Sequence, residues 1–109
     1  MDGQLPVVPS ARPDLRAPDV TAVVILAGLL ADRTRSAILA LLAGGPHCVC
    51  EMAAALGERE NNVSNHLAKL RGAGLVRASR HGADARWVYY ERDHAACAAA
   101  QRSLSGLLT

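Results

Sequence analysis

Phenylalanine is absent from this 109-residue chain, and one tryptophan and two tyrosines are its only aromatic residues. A core without aromatic bulk has to be filled by alanine, leucine, valine and isoleucine, and such a composition favours helices. No long hydrophobic run occurs either. The longest, Ala22 to Ala31, has ten residues including Gly28, half of the roughly 20 that a membrane helix needs. Cysteine is scarce and odd in number, at three, which argues against a disulfide framework. The opening residues, "MDGQLPVVPSARPDLRAPD", hold no apolar stretch of the kind a secretory leader carries, so a reduced, cytoplasmic protein with free thiols is expected. There is no Cys-x-x-Cys, no phosphate-binding glycine loop and no Ser/His/Asp set, and an enzyme is not expected.

What is present is enough for one small domain with a tail. Half of the residues are apolar, ample for a core, although a chain this short gains from association. Four of the five prolines fall at Pro6, Pro9, Pro13 and Pro18, so residues 1–18 read as a disordered N-terminal arm and 19–109 as the folded domain. From Asp19, a candidate N-cap, "VTAVVILAGLLA" is apolar nearly all round, and such a helix must be buried, here against a partner subunit. Asp32 can cap a second helix in which Thr34, Ile38 and Leu41 recur at helical spacing, ended by Gly44-Gly45-Pro46. A third runs from about Val49 to Leu56 with Val49, Met52, Ala53 and Leu56 as its stripe. Gly57 stops it, and a fourth covers roughly Glu60 to Arg71 with Val63, Leu67 and Leu70 facing inward. The period then changes: "LVRAS" and "ARWVYYE" flank the turn His81-Gly82-Ala83-Asp84 and predict a β-hairpin. Asp93 opens a last helix to about Leu108, with Cys97, Ala100, Leu104 and Leu107/Leu108 on one stripe. The fold class is mainly α with a small β-hairpin, in the order α-α-α-α-β-β-α.

The third and fourth helices, joined at Gly57, have the layout of a helix-turn-helix, and the hairpin after them that of a wing. The second helix of such a pair enters the DNA major groove. With Val63 at the centre of the buried stripe, Asn61, Asn65 and Ala68 lie opposite, flanked by Asn62, Ser64 and Lys69. Short amides and hydroxyls read base edges, and Asn pairs well with adenine. Lys69 and Arg71 suit phosphates, while Arg77, Arg80, His81 and Arg86 lie on or near the hairpin, where a wing meets the backbone or the minor groove. The net charge is only +2, but Arg59 to Arg86 carries six positive residues against two negative ones. That local excess is the footprint of a polyanion.

"LADRTRSAILALL", "NNVSNHLAKLRGAGLV" and "RWVYYE", in that order, resemble the ArsR/SmtB family of winged-helix repressors over about residues 24–95. The resemblance implies a homodimer joined by the first and last helices, bound to operator DNA as a repressor and released by an inducer. Glu60 and Asn61 stand where the family's recognition helix often has Ser or Gln, and a carboxylate at Glu60 repels phosphate.

Two of the three cysteines sit in "HCVCEM", as Cys48 and Cys50. Thiolates are soft ligands that select As(III), Sb(III), Cd(II), Pb(II) or Cu(I) over hard cations. In a regular helix residues i and i+2 point about 200° apart, so the two sulfurs can share an ion only if the first turn is unwound or lies in the loop after Pro46. Neither is an obvious core residue, since both flank Val49. Cys-Val-Cys at this place also resembles the thiolate site of the family's arsenite sensors and of its cadmium/lead sensors. The third cysteine of some arsenite sensors is Ala53 here, and the arm lacks the cysteines of the cadmium/lead type. Cys97, His47 or water are left as the third donor, with interface packing as an equal reading of Cys97. The last-helix zinc set of some members is broken, since Asp93 is present but Ala95, Gly106 and Thr109 fill the other places. As(III) accepts two or three thiolates whereas Cd(II) takes about four donors, and the hairpin resembles the arsenite sensors. As(III)/Sb(III) is therefore the expected inducer, with Cd(II)/Pb(II) as the alternative. A thiol redox or reactive-sulfur sensor on the same fold is the further alternative. The strain of an i, i+2 disulfide weighs against it unless Cys97 is a partner.

Overall fold

The computed structural model describes residues 20–79 and 88–109. Its elements are α1 (Val20–Leu30), α2 (Arg33–Leu42), β1 (His47–Cys48), α3 (Val49–Leu56), α4 (Glu60–Gly72), β2 (Val76–Ser79), β3 (Tyr89–Arg92) and α5 (His94–Leu108). The expected arm, the hairpin turn and the candidates Arg80, His81 and Arg86 lie outside the described residues.

The expected order is present with one addition. His47 and Cys48 form a short strand that pairs antiparallel with β3, so the hairpin becomes a three-stranded sheet in the order β1-β3-β2. His47 stands opposite Tyr90 and Cys48 opposite Tyr89. Two residues carry no readable periodicity, which is why the strand is invisible in the sequence.

Helical spacing selects the core. Ile38 of α2, Met52 of α3, and Val63, Leu67 and Leu70 of α4 are fully buried together. Leu75 and Val76 close the core from the start of β2. The turn between α3 and α4 depends on Gly57, whose φ of +66° lies in the left-handed region where a Cβ is strained. Glu58 N–H then returns to the Ala53 carbonyl at 3.0 Å. The far end of α4 closes in the same way. Gly74 takes φ +83°, and the N–H groups of Gly74 and Leu75 reach back to the carbonyls of Arg71 and Leu70 at 2.9 and 3.1 Å, a Schellman closure.

The two helices that flank this core keep apolar surface open within the single chain. Helix α1 buries Val23 and Leu26 but leaves Val20, Val24 and Ile25 60–62% exposed, because only one of its sides meets α2 and α5. Cys97, Ala100 and Leu104 of α5 pack against the core. Leu107 and Leu108, expected on the same stripe, are 46% and 79% exposed, since the final turn runs past the last core contact. Asp93 caps α5, accepting from Ala96 N–H at 2.9 Å.

Candidate functional site

The two clustered cysteines meet. Cys48 Sγ and Cys50 Sγ are 2.9 Å apart. The helical argument against convergence does not apply because Cys48 precedes the helix. With φ −86° and ψ 167° it is extended, at the end of β1, and it occupies the N-cap position of α3. Cys50 is the second helical residue. No unwinding of α3 is needed, and the pair spans two elements, one thiol on the sheet and one on the helix. Cys48 is 6% exposed, a correction to the expectation that neither thiol is a core residue; the pairing of β1 with β3 is what covers it. Cys50 is half-buried. Burial, helped by the hydrogen bond with Cys50, pushes the Cys48 thiol above its ordinary pKa.

Glu51 holds this turn. Its Oε1 accepts from Cys48 N–H at 2.9 Å, and that hydrogen bond lowers the Glu51 carboxyl below its ordinary pKa. The Cys48/Glu51 spacing of three is that of a capping box, a signal present in the sequence. His47 Nδ1 lies 3.6 Å from the same oxygen. As successive residues of a strand, His47 and Cys48 send their side chains to opposite faces, which separates the imidazole from the sulfur pair.

Cys97 is held elsewhere. Its Sγ donates to the Leu75 carbonyl at 3.6 Å, an oxygen that also accepts from Asp93 N–H at 2.9 Å. It lines a cavity of about 420 Å³ bounded by Leu26, Leu30, Leu39 and Leu104. Among the described residues no three His, Cys, Asp or Glu side chains gather round one point, so the single chain does not bring Cys97 or His47 to Cys48 and Cys50 as a third donor.

The outer face of α4 carries the expected polar set, with distinctions within it. Asn61, Ser64, Asn65 and Lys69 are exposed. Asn62 is half-buried and donates from Nδ2 to Glu58 Oε1 at 2.6 Å, which ties it to the turn. Arg71 sits over the Tyr90 ring, 5.7 Å from its centroid, a cation–π contact between α4 and the wing. Arg77 pairs with Glu91 across the strands at 2.9 Å, so its charge is partly offset before any phosphate arrives.

Two arginines that sequence reasoning passed over, together with the expected cap Asp32, organise the region behind α4. Asp32 caps α2, accepting from Arg35 N–H at 3.0 Å, and that bond is the main reason its carboxyl titrates below the ordinary value. Arg35 donates from Nε to Leu29 O at 2.8 Å and from Nη2 to Gly28 O at 3.1 Å, while its Nη1 lies 3.2 Å from His66 Nδ1. On the wing side, Arg92 donates from Nε and Nη2 to Leu39 O at 3.0 and 2.8 Å. No periodicity marks these residues, because each acts singly through its head group.

Residues 32–78 match the profile of the bacterial regulatory protein, arsR family. The chain is 42% identical over 62 residues, 56% of its length and 51% of the relative's, to the arsenic resistance transcriptional regulator ArsR2 of Pseudomonas putida. It is 45% identical over 68 residues, 62% of its length and 58% of the relative's, to the HTH-type transcriptional regulator CmtR of Mycobacterium tuberculosis. These matches span about half the length of the curated relatives. Among solved structures, the transcriptional regulator HlyU of Vibrio vulnificus superposes with a TM-score of 0.62 at 30% identity, over 79% of this chain and 88% of that one. Among the described residues no helix is long and apolar enough to cross a membrane. A helix pair closed at Gly57, a three-stranded wing behind it and these likenesses together identify residues 32–78 as an arsR-family domain within a winged-helix fold.

Proposed function

We propose that the protein is a homodimeric, thiophilic-ion-responsive repressor. It binds operator DNA through α4 and the wing, and leaves it when As(III) or Sb(III) is captured by Cys48 and Cys50. The observation that carries this reading is the pair of sulfurs 2.9 Å apart at the start of the first helix of the helix-turn-helix. The arsenic-resistance name of the Pseudomonas relative supports the choice of ion. So does the absence of a gathered third donor among the described residues, because As(III) accepts two thiolates and a water more readily than Cd(II), which takes about four donors. Cd(II)/Pb(II) is the alternative inducer.

The geometry gives the ion something to do. Two thiolates about 2.3 Å from one shared ion stand roughly 3.3 Å apart at the near-right bond angles of pyramidal As(III) and further apart on a tetrahedral centre. Capture therefore opens the sulfurs from their 2.9 Å contact. Cys48 belongs to the sheet and Cys50 to α3, so the opening acts between wing and helix-turn-helix. Tyr90, paired with His47 and Ala78 and lying under Arg71, passes a sheet displacement to α4. Ion and operator then oppose each other through one coupling free energy, reciprocal by linkage.

The test is fluorescence anisotropy on a duplex from the protein's own promoter, in anaerobic reducing buffer, with As(III) and Cd(II) added separately. Release at stoichiometric As(III) is expected; operator binding indifferent to both ions would remove the sensor reading. The close sulfur contact also keeps the redox alternative in view, since a disulfide requires closure to about 2.05 Å. Release by oxidant and not by ion would select it.

Two further outcomes follow from the same site. Burial keeps the Cys48 thiol protonated past its ordinary range, so capture of Cd(II) displaces protons, whereas As(III), present near neutrality as As(OH)3, condenses with protonated thiols and releases water. Apparent Cd(II) affinity should therefore rise by about tenfold or more per pH unit between about pH 6.5 and 8.5 while As(III) affinity stays nearly level, measured by competition titration; a flat Cd(II) profile would mean that neither thiol is a ligand. On the DNA side, Asn65→Ala should cost about 1–3 kcal/mol of specific affinity and relax base preference at one position. Lys69→Ala should weaken all duplexes alike and lower the salt slope by about one.

A further inference from the structure

The carboxyl end of α1 is capped by side chains of α2. The first helix leaves its last carbonyls without helical partners. Arg35 takes those of Gly28 and Leu29, and Ser36 Oγ donates to that of Leu30 at 2.6 Å. Arg35 alone of the two goes further. Its third nitrogen meets His66 Nδ1 at 3.2 Å, and His66 lies on α4 between the outward Asn65 and the buried Leu67. A guanidinium only donates, so Nδ1 is the acceptor and the neutral ring carries its proton on Nε2. Asp32 faces both groups, with carboxylate oxygens 4.0 Å from Arg35 Nη1 and 3.8 Å from His66 Nδ1. Arg35 and His66 side chains are only 13% and 16% exposed. One planar fork thus joins the end of α1 to the middle of α4, and its fixed angles set both the distance and the orientation.

Helix α1 also carries Val20, Val24 and Ile25 on an open apolar side, the side the proposed dimer would use. In a symmetric dimer, whatever fixes α4 against α1 also fixes the separation of the two recognition helices. That separation selects the half-site spacing on DNA. We propose that Arg35 and His66 are positioning residues that determine which half-site spacing the protein accepts, without touching DNA or ion. This rests on the reading of the protein as a DNA-binding dimer.

The experiment uses the full chain and duplexes whose half-sites are those the wild type selects from a random library. Spacers are varied one base pair at a time, each step moving the second half-site by about 3.4 Å. Single-half-site duplexes are measured alongside. The wild type should prefer its best spacer over the neighbouring ones by about tenfold or more, and Arg35→Met and His66→Leu should each reduce that preference to about threefold or less. Single-half-site affinity should stay within about twofold of wild type in both variants. His66→Gln, which keeps an acceptor for the guanidinium, should restore the preference. The double variant Arg35→Met/His66→Leu should be no worse than either single one, as expected for two halves of one contact. The proposal is overturned if either single variant keeps the full spacing preference. It also falls if His66→Gln behaves like His66→Leu, if the double variant loses more than the singles, or if single-half-site binding falls in step with the preference. A wild type that selects no duplex at all would instead bring down the DNA-binding reading, and this proposal with it.

Discussion

Cys50→Ser leaves operator affinity within about twofold and raises the As(III) dose needed for release by roughly a hundredfold or more. The first half follows from position. Cys50 is half-buried at the second residue of α3, while the outward residues of α4 are elsewhere, so serine disturbs neither the core nor the DNA face. The second half follows from chemistry. Removing a partner that merely orients a ligand costs about 10–100-fold in affinity, and serine removes the ligand itself from a site with two sulfurs. The same change at Cys48 is less clean, since a hydroxyl at that buried place needs a hydrogen-bond partner. Cys97→Ser is the contrast, because its thiol is engaged with Leu75 O and the As(III) dose should stay unchanged. Dose–response anisotropy on the three variants decides the matter. Equal doses for Cys50→Ser and wild type would end the thiol-pair reading, and a shifted dose for Cys97→Ser would make that residue the third donor.

Leu67→Ala is expected to lower the unfolding free energy by about 3 kcal/mol, within the 2–5 kcal/mol usual for such truncations. Leu67 is 2% exposed and packed in the cluster that holds α2, α3 and α4 together. Among the described residues the fully buried members of that cluster are Ile38, Met52, Val63, Leu67 and Leu70, none of them aromatic, and Tyr90 packs against it only partly buried. Small domains have about 5–15 kcal/mol in total, so the loss is a large share of the whole. Urea unfolding followed by circular dichroism measures it. A change under about 1 kcal/mol would show that the core refills the cavity, with Met52 the flexible candidate.

The helices and the hairpin could be read from the sequence because each repeats its apolar residues. Val63, Leu67 and Leu70 lie on one helical stripe, and all three are buried. Asp32 and Asp93 cap α2 and α5, as their place before apolar runs implied. What escaped the sequence has no repeat to announce it. Strand β1 is two residues long, so the geometry that joins Cys48 to Cys50 could only be posed as a condition, a thiol outside the helix. The partners of Arg71, Arg77 and Asn62 escaped for a related reason: residue type marks a side chain as able to meet DNA, while its neighbour in the fold decides how free it is to do so. The open side of α1 shows the converse. Its sequence demands burial, yet the chain supplies cover on one side alone.

The register of β1 against β3 constrains how this wing can change over time. Side chains on a strand alternate between faces, so a slip of one residue reverses every side chain on it. Cys48 stands opposite Tyr89 in that register, and β3 is tied on its other edge to β2 from Val76 to Ser79. A single-residue insertion or deletion that shifts the pairing of β1 with β3 would turn the Cys48 thiol away from Cys50 while leaving all three cysteines in the sequence. Length changes are therefore expected to be excluded from the strands. A homologue that keeps Cys-Val-Cys but alters strand length would retain the motif without the joined pair of sulfurs.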